Sequence, residues 1–176
     1  DVDGYGNQII NVKNSDGIIT QSLYVFDSHS YTDGDFLGIF WKYDNIHENQ
    51  VQWYKENVIA YNEQNNALLK EMGKEENSDI KSAAFFHIPL TEQKDAWYEY
   101  VENNFEDTEN AKLAYGTAGE SGKVVYSGIG DDGMFEAMLE TGSTKAVFCG
   151  HDHYNNFSIE YKGIRLTYGM SVDYLA

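Results

Sequence analysis

Two apolar stretches in the opening segment DVDGYGNQIINVKNSDGIITQSLYVFDS flank the polar cluster Asn14-Ser15-Asp16-Gly17. The second alternates and then becomes continuously apolar from 19 to 26, so the pattern predicts two strands closed into a hairpin by that turn. From 49 to 72 the period lengthens. Val51, Tyr54, Val58, Tyr61, Leu68 and Leu69 recur at mostly helical spacing, and Glu48 stands where the helix dipole is positive, which predicts a long amphipathic helix. SAAFFH at 82–87 is a short apolar run closed by Ile88-Pro89-Leu90. Proline cannot donate to a ladder, so pairing should stop there and leave His87 at a strand end. Two further helices are predicted, 91–101 with Thr91 as N-cap and 132–140 with Asp131 as cap and Gly142 as stop. The polar, glycine-bearing stretch 102–130 between them reads as a loop with a short strand at 124–126, and loops of that length are usually functional or mobile. The end of the chain is β: 146–149, then 157–161 and 164–168 joined by the tight turn Lys162-Gly163.

No repeat, low-complexity block or proline-rich linker interrupts the chain, whose single proline is Pro89, so 1–176 is read as a single domain. Its 176 residues, 41% apolar and 15% aromatic, have a globular composition with enough apolar side chains for a core. Charge narrows the partners. Twelve Lys and Arg against 29 Asp and Glu give a net charge of −17, which excludes nucleic acid or an anionic membrane as a general electrostatic partner. A phosphorylated substrate then requires something cationic, such as a bound metal, to outweigh the local field. Cys149 is the only cysteine, so an intrachain disulfide and a thiolate cluster are both ruled out, and any site must use histidine, carboxylate or amide ligands. With no signal-like start and no apolar run near the ~18 residues of a membrane span, the expectation is a soluble chain. Asn156-Phe157-Ser158 matches a glycosylation sequon, set aside because a glycan there would obstruct the neighbouring histidines.

Those histidines lie in VFCGHDHYNNF, 147–157, two apart behind a short apolar run and a glycine. In an extended segment residues i and i+2 project to the same side, so His151 and His153 would face one site while Asp152 points away. Neutral imidazoles on one side make a metal grip. Gly150 would let the backbone turn sharply at the strand end, and Asp152 or a carbonyl could hold an imidazole tautomer. A bare H-x-H is more often two ordinary surface histidines, so the surroundings decide.

Gly150-His151-Asp152-His153 directly after an apolar strand resembles the last motif of the calcineurin-like metallophosphoesterases, and AFFHIPL at 84–90 resembles the motif before it. GYGN (4–7), LYVFDSHSY (23–31), QVQWYKEN (50–57) and GSTKAVFCGHDHYNNFSIEYKGIRLTYG (142–169) are similar to successive segments of the purple-acid-phosphatase-like branch, so the resemblance covers nearly the whole chain. It implies an α/β (α+β) fold, the C-terminal half of a β-sandwich flanked by helices. It also implies hydrolysis of a phosphate ester at two metal ions, of zinc, iron or manganese, that share a hydroxide. His87 and His151 would bind one ion and His153 the other. Asn155 and Asn156 are candidates to touch substrate or bound water, although hairpin-loop asparagines are turn formers first. Trp41, Trp53 and Trp97 are read as packing residues, His47 as a helix-start residue and Asp27 as a structural hydrogen-bonding residue.

The family's earlier motifs, D-x-H, G-D-x-x-D and G-N-H-D/E, supply the bridging aspartate, further ligands and a catalytic histidine. G-N-H-D/E does not occur here. Asp27-Ser28-His29 spells D-x-H and Gly34-Asp35 follows, but that separation is too short for an intervening helix and strand, and the flanking LYVF and SY match a later family strand. The triplet is read as a decoy, with His29 at the site rim or structural. The expectation is the C-terminal part of a metallophosphoesterase domain, with the N-terminal part absent. Alone it should be catalytically inactive and bind metal weakly or not at all, with His87, His151 and His153 at one end of a sheet. It should also expose apolar surface or an open edge, for which homodimerisation is one remedy. The alternative is a non-enzymatic acidic binding domain whose histidines are structural.

Overall fold

The expected N-terminal hairpin forms because Asn14 Oδ1 accepts the N–H groups of Asp16 and Ile18, both at 3.0 Å, while Gly17 takes a φ of 84°. It joins β1 (Gln8–Lys13) antiparallel to β2 (Ile19–Val25). The computed structural model describes residues 2–32, 42–128, 130 and 133–172. Helix α1 (Glu48–Glu71) buries Val51, Tyr54 and Val58, and its wholly enclosed Asn65 brackets the start of β2, accepting Ile19 N–H at 2.9 Å and donating to Ile19 O at 2.8 Å. Then come β3 (Lys81–Phe85), α2 (Thr91–Glu102), β4 (Ala111–Tyr115), α3 (Met134–Thr141), β5 (Thr144–Cys149), β6 (Ser158–Tyr161) and β7 (Ile164–Tyr168).

All seven strands join one sheet in the order β1-β2-β3-β5-β7-β6-β4. The central four, β2, β3, β5 and β7, run parallel, and antiparallel partners close both edges. One row crosses the sheet through paired Tyr24, Ala84, Val147, Leu166 and Ile159, none more than 1% exposed. The helices pack on this face: Trp53 and Tyr54 of α1 meet Tyr24 edge-on, Trp97 of α2 stacks on Phe157, and Phe135 of α3 lies against Tyr161. The α/β class is as expected. A second sheet, which a sandwich requires, is not among the described residues, and no described helix is long and apolar enough to cross a membrane.

Three local expectations are corrected. Leu90, not Thr91, is the N-cap of α2, so Thr91 is its first helical residue. The strand inside 102–130 is β4, which pairs with β6; 124–126 is irregular. The backbone there is claimed by side chains instead, since Val124 O accepts from Asn155 Nδ2 and Tyr126 N–H donates to Asp152 Oδ2. Helix α3 is capped by Gly133 and ends at Gly142 with a φ of 63°, the expected stop. Asp131, Trp41 and Gly34-Asp35 lie outside the described residues.

Candidate metal centre

Parallel pairing of β3 with β5, Phe85 opposite Phe148, carries both strands out at the same edge. The pairing continues past the strand ends, with Phe86 N–H donating to Phe148 O at 3.1 Å and Gly150 N–H donating to His87 O at 3.0 Å. Ser28, just beyond β2, accepts the N–H groups of His87 and Ile88 at 3.2 and 2.8 Å. The imidazoles of His87 and His151 therefore meet with centroids 5.3 Å apart and planes at 87°. Gly150 gives the room for this, because a Cβ there would stand 3.3 Å from His87 Nδ1. It does not make the sharp turn expected of it. That turn falls on His151 itself, whose φ is +76°, so the i, i+2 argument for an extended segment does not apply at this position.

The turn spreads the histidines over two adjoining hollows. One is lined by His29, Tyr31, Tyr43, His87, Ile88 and His151. The other has Tyr43, Glu120, Tyr126, His151, Asp152 and His153 among its walls. His151 belongs to both, with the edge of Tyr43 against it at 4.2 Å. All three histidines sit at one end of the sheet, as the strand-end reasoning anticipates, but His87 and His153 line different hollows.

Burial holds the His151 imidazole below its ordinary range, and nearby His87 and His153 add to that effect against the pull of Asp152, so the ring is neutral at neutral pH. Asp152, expected to point away from the histidines' site, is 3% exposed and lines the second hollow with them, its Oδ2 accepting from Tyr168 OH (2.6 Å), Asn155 Nδ2 (2.8 Å) and Tyr126 N–H (3.1 Å). Burial nonetheless raises its carboxyl above the usual carboxylate range. Asn155 is corrected from a substrate contact to a loop pin. It is wholly buried, its amide donates to Val124 O and Asp152, and its carbonyl accepts from Gly119 and Glu120 N–H, which uses its full hydrogen-bonding capacity. Asn156 likewise serves the loop, exchanging bonds with Thr117 through Oδ1 and backbone N–H. Cys149 is buried against Gln93, and burial pushes its thiol up and away from thiolate chemistry.

A second histidine group lies beside the first hollow. His29, in a left-handed backbone at φ 62°, stacks on His47 with centroids 4.0 Å apart and an interplanar angle of 17°. His47 precedes α1 as its N-cap and faces two carboxylates, Asp3 Oδ2 at 2.9 Å from Nδ1 and Asp44 Oδ1 at 3.2 Å from Nε2. Burial lowers its pKa, but those two partners together hold it above the ordinary imidazole range. Asp27 is structural, as expected, accepting Tyr5 N–H at 2.7 Å and His29 N–H at 2.8 Å. Burial raises its carboxyl, and these bonds more than offset that. Sequence reasoning missed this group because residues 29, 44 and 47 form no motif. It is the one set among the described residues in which three ligand-type side chains each bring an atom within 4.8 Å of the others.

A mixed sheet whose parallel strands deliver metal-type ligands to one edge defines the class: an α/β protein with a histidine site on its strand-end loops. The chain is similar over 98–99% of its length to three Arabidopsis thaliana proteins. These are "Probable inactive purple acid phosphatase 28", 28% identical with 38% of that protein covered, "Probable inactive purple acid phosphatase 14", 30% and 39%, and "Probable inactive purple acid phosphatase 29", 27% and 41%. The chain thus spans about two-fifths of the length of the curated relatives it matches, and its resemblance to the purple-acid-phosphatase-like proteins stands. No family model matches it.

Proposed function

We propose that the chain is the C-terminal part of a metal-dependent phosphoesterase domain, to which it contributes His87, His151 and His153 as ligands, and that alone it is catalytically incomplete. The observation that carries this reading is the perpendicular meeting of His87 and His151, 5.3 Å apart, on the exits of adjacent parallel strands. The donor set fits part of a dinuclear centre. His151 is held neutral by burial and so keeps a lone pair, while no third ligand-type side chain among the described residues gathers with His87 and His151. The bridging carboxylate must therefore come from another segment of the domain. When bound, a metal pair would supply the activated hydroxide and neutralise the phosphoryl oxygens. The chain's own residues orient: Ser28 and Gly150 fix His87, and the Asp152–Asn155–Tyr168 bonds fix the loop bearing His151 and His153. The open apolar face of the sheet supports the same reading, being what a domain lacking its second layer leaves exposed. In isolation a second copy of the chain would be its cover.

The relatives' names favour a second reading, in which the longer protein binds metal or ligand through these histidines without turnover. One experiment separates the readings. The chain and the longer protein are assayed with an aryl phosphate and a diester under zinc, manganese or iron, and metal content is measured in His87→Ala and His151→Ala variants of the longer protein. Turnover by the chain within about tenfold of the longer protein, a gap of only ~1.4 kcal/mol, would overturn incompleteness. Unchanged metal content in both variants would overturn the ligand role, and metal without turnover in the longer protein would establish the binding-only reading.

A further inference from the structure

Three phenols and the Glu120 carboxylate stand around the second hollow beside His151 and His153, and the phosphoesterase motifs account for none of them. We propose that this hollow binds a quaternary ammonium head group, so that the esters hydrolysed are those of a cationic alcohol of the choline type. The hydrolysis half rests on the phosphoesterase reading, and the binding half does not.

The chemistry of the walls selects the ligand. Tyr43, Tyr126, Tyr154 and Glu120 join Asp152 and the two histidines there, with no described lysine or arginine among them. Aromatic rings attract a cation through their quadrupoles, and quaternary ammonium groups are the ligands most often held this way. Glu120 adds a full negative charge within electrostatic reach of His151. Asp152 adds little, because its Oδ2 is taken up by three hydrogen bonds and burial raises its carboxyl. The net charge of −17 favours a cation at longer range as well. His151 lines both hollows, so a phosphoryl group at the candidate metal ligands and an ammonium group among the tyrosines would be neighbours. That is the layout of choline phosphate, in which a short ethylene link separates nitrogen from ester oxygen. The hollow holds about 240 Å³, below the ~300–1,000 Å³ of pockets for drug-sized ligands, which suits a small head group.

The walls come from separate segments that are bonded to one another. Tyr126 N–H donates to Asp152 Oδ2 and Tyr154 N–H to Glu120 Oε1, both at 3.1 Å, while Glu120 N–H donates to wholly buried Asn155 Oδ1 at 3.2 Å. Gly119 permits this approach, since a Cβ there would stand 2.0 Å from Tyr154 O. Tyr43 is steadied by its stack on Tyr31, with centroids 5.3 Å apart and planes at 28°. Yet Tyr126 and Tyr154 remain 47% and 51% exposed. Rings presented to water on a bonded frame are preorganised, so little ordering is lost when a ligand settles among them.

The test reads binding and turnover separately. The 176-residue chain is titrated at constant ionic strength with choline and with 3,3-dimethylbutanol, its uncharged isostere, following tyrosine ring signals by NMR. Choline should shift the Tyr126 and Tyr154 signals and bind about tenfold more tightly than the isostere. Glu120→Gln keeps an acceptor for Tyr154 N–H and removes only the charge, and Tyr126→Leu keeps the backbone bond to Asp152. Each should weaken choline binding by about fivefold to tenfold. Tyr115→Leu, exposed on β4 and outside the hollow, should not change it. In the longer protein under zinc, manganese or iron, the ratio of kcat/KM for choline phosphate to that for 3,3-dimethylbutyl phosphate should fall by a similar factor in Glu120→Gln and Tyr126→Leu. The comparison is between proteins because the charge also makes choline the better leaving group. The proposal is overturned if choline binds no more tightly than its isostere, or if both variants leave binding and the ratio unchanged. Choline binding by the chain with no turnover of any ester by the longer protein would overturn the phosphoesterase reading and keep the head-group site.

Discussion

The two faces of the sheet follow different rules. On one, the row Tyr24, Ala84, Val147, Leu166 and Ile159 is sealed by three helices and at most 1% exposed. On the other, Leu23, Val25, Ala83, Phe85, Ala146 and Phe148 are apolar but no described helix covers them, and Ile10, Val12 and Phe148 remain 49%, 44% and 37% exposed. Toward β7, β6 and β4 the same face turns polar, with Arg165, Glu160 and Lys112 in successive register. An apolar half and a polar half on one uncovered surface mean that sequence pattern alone does not reveal whether a face is covered. Strand alternation says which residues share a side, and only the helices decide which side is core.

The difference should be largest in stability. Leu166→Ala, deleting a wholly buried side chain in the middle of the row, is expected to cost about 2–5 kcal/mol in urea unfolding. Phe148→Ala, on the uncovered face, should cost the isolated chain no more than about 1.5 kcal/mol, because much of its ring is already in water and the principal loss is its 5.1 Å stack on Phe85. In the complete domain proposed above, the cost of Phe148→Ala should rise toward that of Leu166→Ala if the rest of that domain covers this face. Equal small costs in both proteins would break that account.

An intermediate effect is expected where the sealed core reaches the histidine loops. Asn155→Ala strips the partners from Gly119 and Glu120 N–H and Val124 O together, part-buried groups that water can reach, so each should cost less than the about 1–3 kcal/mol of a fully buried unmet group. A loss of roughly 2–3 kcal/mol is expected, with faster hydrogen exchange confined to 116–126 and 150–156. Uniformly faster exchange throughout the sheet would show that Asn155 supports the core and not the loops. Smaller still is Ile10→Lys at the edge of the open face, expected within about 0.5 kcal/mol of wild type. If the isolated chain self-associates through this face, the added charge should shift its sedimentation toward monomer.

Legibility followed the same divide. The strand bearing His87 and the GHDH loop could be read because each is a contiguous apolar run ending in its chemistry, and parallel pairing then had one way to bring them together. Strand β4 could not, since AKLAY carries little alternation and its pairing is set by the distant β6, while the more strand-like 124–126 gives its backbone to Asp152 and Asn155. Two details of the candidate site were also hidden. A left-handed backbone is uncommon for any residue but glycine, even for histidine, which adopts it more often than most, so the spacing argument placed the turn one residue early. The meeting of His29, Asp44 and His47 depends on buried Gln50 linking α1 to the exit of β2, which no local pattern encodes.

The smallest effect expected is a difference in pH slope between the two histidine groups. His47 is held above the ordinary imidazole range by Asp3 and Asp44, so its contribution is fully present below about pH 6.5, the unfolded value, and is lost as pH rises through the higher folded value. His151 is held below that range by burial. The unfolded chain therefore takes up the proton first, and stability is lost as pH falls from about 6.5 toward the lower folded value. In the wild type the two slopes have opposite signs in adjoining windows, His151 below about pH 6.5 and His47 above it. His47→Asn keeps a competent helix cap, and its stability should lose the decline above about pH 6.5 while keeping the loss below it. His151→Asn tolerates the left-handed backbone, and its stability should lose the decline below about pH 6.5 while keeping the one above it. Asp3, whose carboxyl is lowered by His47, titrates below this window and does not confuse the comparison. Parallel pH profiles for the two variants would mean that the groups share one electrostatic environment, and that buried His151 and carboxylate-flanked His47 are not the opposites their surroundings make them.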